Sequence, residues 1–98
     1  MSSIRGERVA LGQSNGREIE LVVSGNEDYA RYETPAGYAV IYDDAGVFVY
    51  ARLVNGRFTS TGVPADQPPP AGLALHEEES PEVRIERSQA RRSARERR

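Results

Sequence analysis

The sequence predicts a mainly β fold: an antiparallel meander forming a small curled sheet or open barrel, then a Pro-rich spacer and a charged C-terminal α-helix. Three observations carry this. Asn15-Gly16 and Asn55-Gly56 each lie between strand-forming runs, and Asn-Gly favours a two-residue hairpin because a type I′ turn needs positive φ at both central residues. All 5 Tyr and both Phe precede Pro64, and no stretch there repeats at 3.6 residues. Pro68, Pro69 and Pro70 then forbid a helix and favour an extended spacer.

Taken in order, the expected strands are 8–13, 17–24, 28–33, 38–42, 47–53 and 57–61. Thr34-Pro35-Ala36-Gly37 and Asp43-Asp44-Ala45-Gly46 supply further turns, with Pro, Asp and Gly where turn geometry favours them. The chain shows no internal repeat. It divides into a β domain over 1–64, a Pro-rich and acidic linker over 65–79, and a charged, partly mobile helix over 80–98. At the helix start Ser80 is placed to cap, Pro81 suits the first helical position, and Glu82 complements the positive end of the dipole. Five acids against Arg84 over Glu77–Glu86 precede six Arg against Glu96 over Arg87–Arg98. Only Val83, Ala90 and Ala94 form an apolar stripe, so the helix is expected to pack little.

The strand faces are two-sided. A four-residue Asp43–Gly46 connection sets Tyr38, Val40, Tyr42, Val47, Val49, Ala51 and Leu53 on one side, joined by Phe58. The other side then carries Ile41, Phe48 and Tyr50, diluted by Arg52, Thr59 and Thr61. A three-residue bulged loop would exchange some partners but leave apolar groups on both sides. Either the sheet folds over itself or one face meets a partner. Ile41, Phe48, Tyr50 and Arg52 are the candidate protein-binding face.

Composition mostly excludes. Of the 98 residues 38 % are hydrophobic and 29 % charged, an apolar fraction below the usual ~45–50 %. No apolar run, Val47–Ala51 included, approaches the ~20 residues of a membrane span. Met1–Leu11 has no apolar core of the signal-peptide kind. With no Cys there are no disulfides, thiolate chemistry or cysteine-held zinc or iron–sulfur clusters, and a lone His76 forbids a His–His metal pair. A net charge of −2 argues against a general nucleic-acid binder. All 13 basic residues are Arg, a coding bias that no single function requires.

Catalytic patterns fail one by one. His76-Glu77-Glu78-Glu79-Ser80 begins like a zinc-protease motif but has no second His. Asp43 and Asp44 lie where Asp is favoured for turn geometry, and Ser24, Ser60 and Thr61 have no base set for nucleophilic catalysis. The Arg cluster Arg91, Arg92, Arg95, Arg97 and Arg98 reads as a solvated helix end, or as a contact for phosphate or acidic protein. The expectation is a chain that is not an enzyme and takes no cofactor or metal.

One string of motifs adds to this. Gly25-Asn26-Glu27-Asp28-Tyr29, then Tyr32 to Val40 with Thr34-Pro35-Ala36-Gly37-Tyr38, then Tyr50-Ala51, Asn55-Gly56 and Ser60-Thr61-Gly62-Val63-Pro64 resemble the segment preceding the catalytic domain in immune-inhibitor-A-like secreted metalloproteases. The resemblance covers about Gly25–Pro64. It departs at Asn26, Ala36 and Ala39, where the family has Asp, Asp and Thr, and the family's H-E-x-x-H motif is absent. It implies a propeptide-like β module that packs on, chaperones or restrains a protease domain. The alternative is a self-associating interaction module that pairs through a β edge or the tail helix as a weak homodimer.

Overall fold

The structure is a computed structural model that describes residues 4–25 and 29–96. Six strands, β1 (Ile4–Gly12), β2 (Glu18–Gly25), β3 (Ala30–Glu33), β4 (Ala39–Tyr42), β5 (Phe48–Val54) and β6 (Arg57–Pro64), precede one helix, α1 (Pro81–Glu96). All neighbours are antiparallel and follow chain order, so the expected meander is present. The sheet is open: β1 and β6 remain its edges, and it does not curl round into the barrel that was the other expectation. Asn26–Asp28, where the third strand was expected to begin and where part of the resemblance falls, lie outside the described residues.

The turns show how local sequence selects geometry. Asn55 and Gly56 both have positive φ, 53° and 77°, as the two-residue type I′ hairpin between Val54 and Arg57 requires. Asn15-Gly16 does not repeat this. Gly16 alone has positive φ; its N–H donates to Gln13 C=O and Gln13 N–H donates to Arg17 C=O. That is a type I turn closed by a left-handed glycine, one residue longer than the Asn-Gly pair predicts. Thr34–Tyr38 and Asp43–Val47 repeat the same pair of backbone bonds around Gly37 and Gly46. Three of the meander's connections therefore share one loop design.

That design sets the register. Because Asp43 pairs with Val47, Tyr42 stands opposite Phe48, Ile41 opposite Val49 and Val40 opposite Tyr50. The bulged loop thus displaces the four-residue connection, and one step of register exchanges the faces of β5. Val40, Phe48 and Tyr50 lie with Leu21 and Ala65 in the main core, against Leu11, Ile19, Tyr32, Tyr38, Val63 and Leu73. Ile41, Val49, Ala51, Leu53 and Phe58 lie on the opposite face. The tip of the β1–β2 hairpin reaches the β4–β5 turn, where Ser14 N–H donates to Gly46 C=O and Phe48 N–H donates to Gln13 Oε1.

Past Pro64 the chain stays on the sheet. Ala65 is 8 % exposed, its N–H donates to Phe48 C=O, and Tyr50 O–H donates to the carbonyls of Ala65 and Gln67. The segment then crosses the turn end of the sheet. His76 N–H donates to Gly37 C=O, and Ser80 N–H donates to Gly56 C=O. Both glycines are needed there, since a Cβ would meet the His76 ring at 2.9 Å and the Ser80 side chain at 2.9 Å. The cap is made as expected: Ser80 Oγ accepts from Val83 N–H, and Ser80 C=O from Arg84 N–H. The helix packs little, as its thin stripe suggests: Val83 is buried to 6 % exposure, while Ala90 and Ala94 stay exposed.

Candidate functional site

The four residues expected to form a binding face are not brought together. Phe48 and Tyr50 are buried in the core, Ile41 lies on the opposite face, and Arg52 is exposed. Phe48 is held between Tyr32 and Tyr42, with ring centroids at 5.5 and 4.9 Å. The physical reason is the bulged β4–β5 loop, one residue shorter than the four-residue connection, which sets Phe48 and Tyr50 on the core face with Val40 and leaves Ile41 opposite Val49.

The other residues weighed for chemistry serve backbone geometry. Asp43 Oδ1 accepts from the N–H groups of Ala45 and Val47, which builds the turn. Ser24 Oγ accepts from Gly6 N–H, Ser60 Oγ accepts from Gly62 N–H, and Thr61 O–H donates to Tyr50 C=O. His76 Nδ1 lies 3.2 Å from the buried Glu33 carboxylate, with His76 itself at φ 57°. Among the described residues no three His, Asp or Glu side chains are gathered around a common point for a metal ion, and no helix is long and apolar enough to cross a membrane.

What sequence reasoning missed is Glu79. It is 3 % exposed, yet its carboxylate has four donors. Arg87 grips it through two nitrogens at 2.8 and 2.9 Å, Tyr29 O–H donates at 2.9 Å, and Phe58 N–H at 2.7 Å. These charge-assisted hydrogen bonds offset the hydration that the carboxylate loses on burial. Burial, then the hydrogen bond to Glu79 and its charge, push the Tyr29 phenol up to about 12. Two further ion pairs flank this group, Arg31 with Glu78 at 2.9 Å and Arg57 with Glu86 at 2.9 Å. The only available signal was a Glu placed just before a Ser-Pro helix start, eight residues ahead of an Arg. The acidic linker thus contributes one buried, directional fastening rather than a uniformly solvated run.

Beside this fastening the sheet divides. The β3–β4 ladder holds Glu33 to Ala39 and Tyr32 to Val40, then stops. Alternation of antiparallel bonds points the main-chain groups of Ala30 and Tyr42 at each other, yet they are not paired across the ladder. Each is paired on its outer side, Ala30 with Gly25 and Tyr42 with Phe48. The β3–β4 ladder ends between two residues that are bound elsewhere. Tyr29, just before β3, is tied to Glu79, and Asp43, just after β4, is tied into its turn. The opening is a cleft of about 620 Å³, floored by Ile41 and Phe58 and walled by Arg87, Ala90 and Arg91 of α1.

No protein-family model matches the chain, no curated protein matches it, and no solved structure matches it.

Proposed function

We propose that the chain is a non-catalytic protein-binding module, propeptide-like in that it packs on, chaperones or restrains a protease domain. The observation that supports this reading is the cleft between β3 and β4. Strand backbone without a ladder partner is a standing invitation to another extended chain, because main-chain bonds then supply affinity and neighbouring pockets supply choice. The flat sheet face first expected to do this is occupied by the chain's own core. Binding is therefore assigned to the cleft, with apolar contacts from Ile41 and Phe58 and polar ones from α1.

The test is to mix the full chain with a separately produced catalytic domain of an H-E-x-x-H metalloprotease of the resembled family. A complex by size exclusion and slower peptide cleavage are expected, both lost on filling the cleft with Ala90→Trp. No complex and no slowing at tens of micromolar would overturn the protease-restraining role. A second reading, self-association, is favoured by the edge strand β1, which has a strand neighbour on one side only. Light scattering separates the two: self-association predicts a dimer that survives Ala90→Trp.

A further inference from the structure

The charges around the cleft point to the kind of segment it takes. We infer that the cleft between β3, β4 and α1 receives an extended, acidic segment of a partner protein, its carboxylate meeting Arg91. This rests on the protein-binding reading above and names the chemistry of the partner.

Among the described residues four charged side chains line the cleft, Arg31, Glu79, Arg87 and Arg91, three cations against one anion. Arg87 is matched by Glu79 within the cleft, and Arg31 by Glu78 just outside it. Arg91 has no carboxylate within ion-pair distance among the described residues. Arg31 also keeps a buried Nε with no hydrogen-bond partner. A chain whose net charge is −2 thus presents a local excess of cation at this opening. A positive cleft selects an anionic partner, and raises its rate of encounter, through field as well as contact.

Backbone geometry selects an extended one. Ala30 and Tyr42 each direct an N–H and a C=O into the wedge without a ladder partner across it. A strand end entering from the open side meets these groups, while the closed pair Tyr32–Val40 stops it from going further. Alternation along that segment sends one side chain to the face of Ile41, Phe58 and α1 and the next to the opposite face, beside Tyr32 and Val40. A Glu on the first face lays its stem along Ile41 and Phe58 and brings its carboxylate to Arg91, and an apolar residue suits the second. Arg91 lies one helical turn beyond Arg87, so a carboxylate there meets a guanidinium that does not already serve Glu79.

The experiment uses the full chain and fluorescein-labelled peptides of about nine residues, the length of a long strand. One probe alternates Val and Glu, a second alternates Val and Gln, and a third is single-stranded oligothymidylate. The Val-Glu peptide is expected to bind with an affinity that falls as salt is raised. Arg91→Gln should weaken it at least about tenfold, the worth of one charge-assisted hydrogen bond, and flatten the salt dependence. Ala90→Trp should abolish binding, with both variants keeping the wild-type thermal midpoint. Equal binding of Val-Glu and Val-Gln peptides, lost in Ala90→Trp, would overturn the acidic assignment and leave the protein-binding reading standing. Tighter binding of oligothymidylate would assign the cleft to nucleic acid, and no binding of any probe would remove the cleft as a recognition site. Either result overturns the inference.

Discussion

The two faces of the sheet are covered by different physics. On one, Leu21, Val40, Phe48, Tyr50 and Ala65 pack against the β1–β2 hairpin, and the contacts are apolar and aromatic. On the other, the tail is held by Glu33 with His76, Arg31 with Glu78, and Glu79 with Tyr29, Phe58 and Arg87. The first kind of contact depends on volume and is tolerant of shape. The second depends on donors facing acceptors and tolerates almost nothing. A chain with few apolar residues thereby covers a second face, where Ala39, Val49, Ala51 and Val83 are buried, with directed polar contacts beside small apolar ones.

The largest test is truncation after Pro64. It removes Ala65 from the core, both acceptors of Tyr50 O–H, and every residue covering the second face. The shortened chain is expected to show no cooperative thermal transition by circular dichroism. A transition within about 1 kcal/mol of the full chain, the range of ordinary surface changes, would restore the tail as the independent appendage that composition suggests.

Matched substitutions sharpen the contrast. Glu79→Gln and Leu21→Met both keep volume nearly constant. The first sets an amide nitrogen among four donors and leaves Arg87 without its counter-charge, for a loss of about 3 kcal/mol in urea denaturation. The second preserves an apolar fit and should cost less than about 1.5 kcal/mol. Equal losses would remove the distinction between the faces.

A smaller effect is expected at alkaline pH. Tyr29 has its pKa raised from 10.0 to about 12 in the fold. A group whose folded pKa lies above its unfolded one stabilises fully below the unfolded value and loses that contribution as pH rises through the folded one. The stability difference between wild type and Tyr29→Phe should therefore hold below pH 10 and close as pH passes about 12, read from urea midpoints. A difference that persists beyond that range would take Tyr29 out of the fastening.

The smallest effect belongs to Arg57 and Glu86, an exposed two-bond pair between β6 and α1. The hydrogen bond and charge of Arg57 hold the Glu86 carboxyl below its ordinary value. Its contribution is present above the usual carboxylate pKa and disappears as pH falls through the depressed one. Glu86→Gln should lower the thermal midpoint slightly at low salt and not at high salt. A salt-independent loss would show that packing, not charge, holds this end of the helix.

Much of the fold is legible along the chain because its determinants are local. Asn55-Gly56 makes its turn alone, since both residues accept positive φ. Ser80-Pro81-Glu82 starts the helix where capping predicts. Asn15-Gly16 misleads because a glycine that closes a type I turn and one inside a type I′ turn have the same sequence neighbour. The same ambiguity at Asp43–Gly46 costs one residue of register, and with it the face assigned to Phe48 and Tyr50. The candidate cleft is not legible at all. It depends on where the β3–β4 ladder stops, between Tyr29 bound to Glu79 and Asp43 bound in its turn.

By itself, then, the sequence determines the strand order, the helix and its cap, because turn residues, caps and short-range periodicity act within a few positions. Tertiary structure alone decides which face is core, that Glu79 is buried, and that the sheet divides beside it. Glu79 reaches Tyr29 across 50 positions and Phe58 across 21. No local pattern distinguishes the Glu that meets four donors from its neighbours Glu77 and Glu78, because the donors come from three separate elements of the fold.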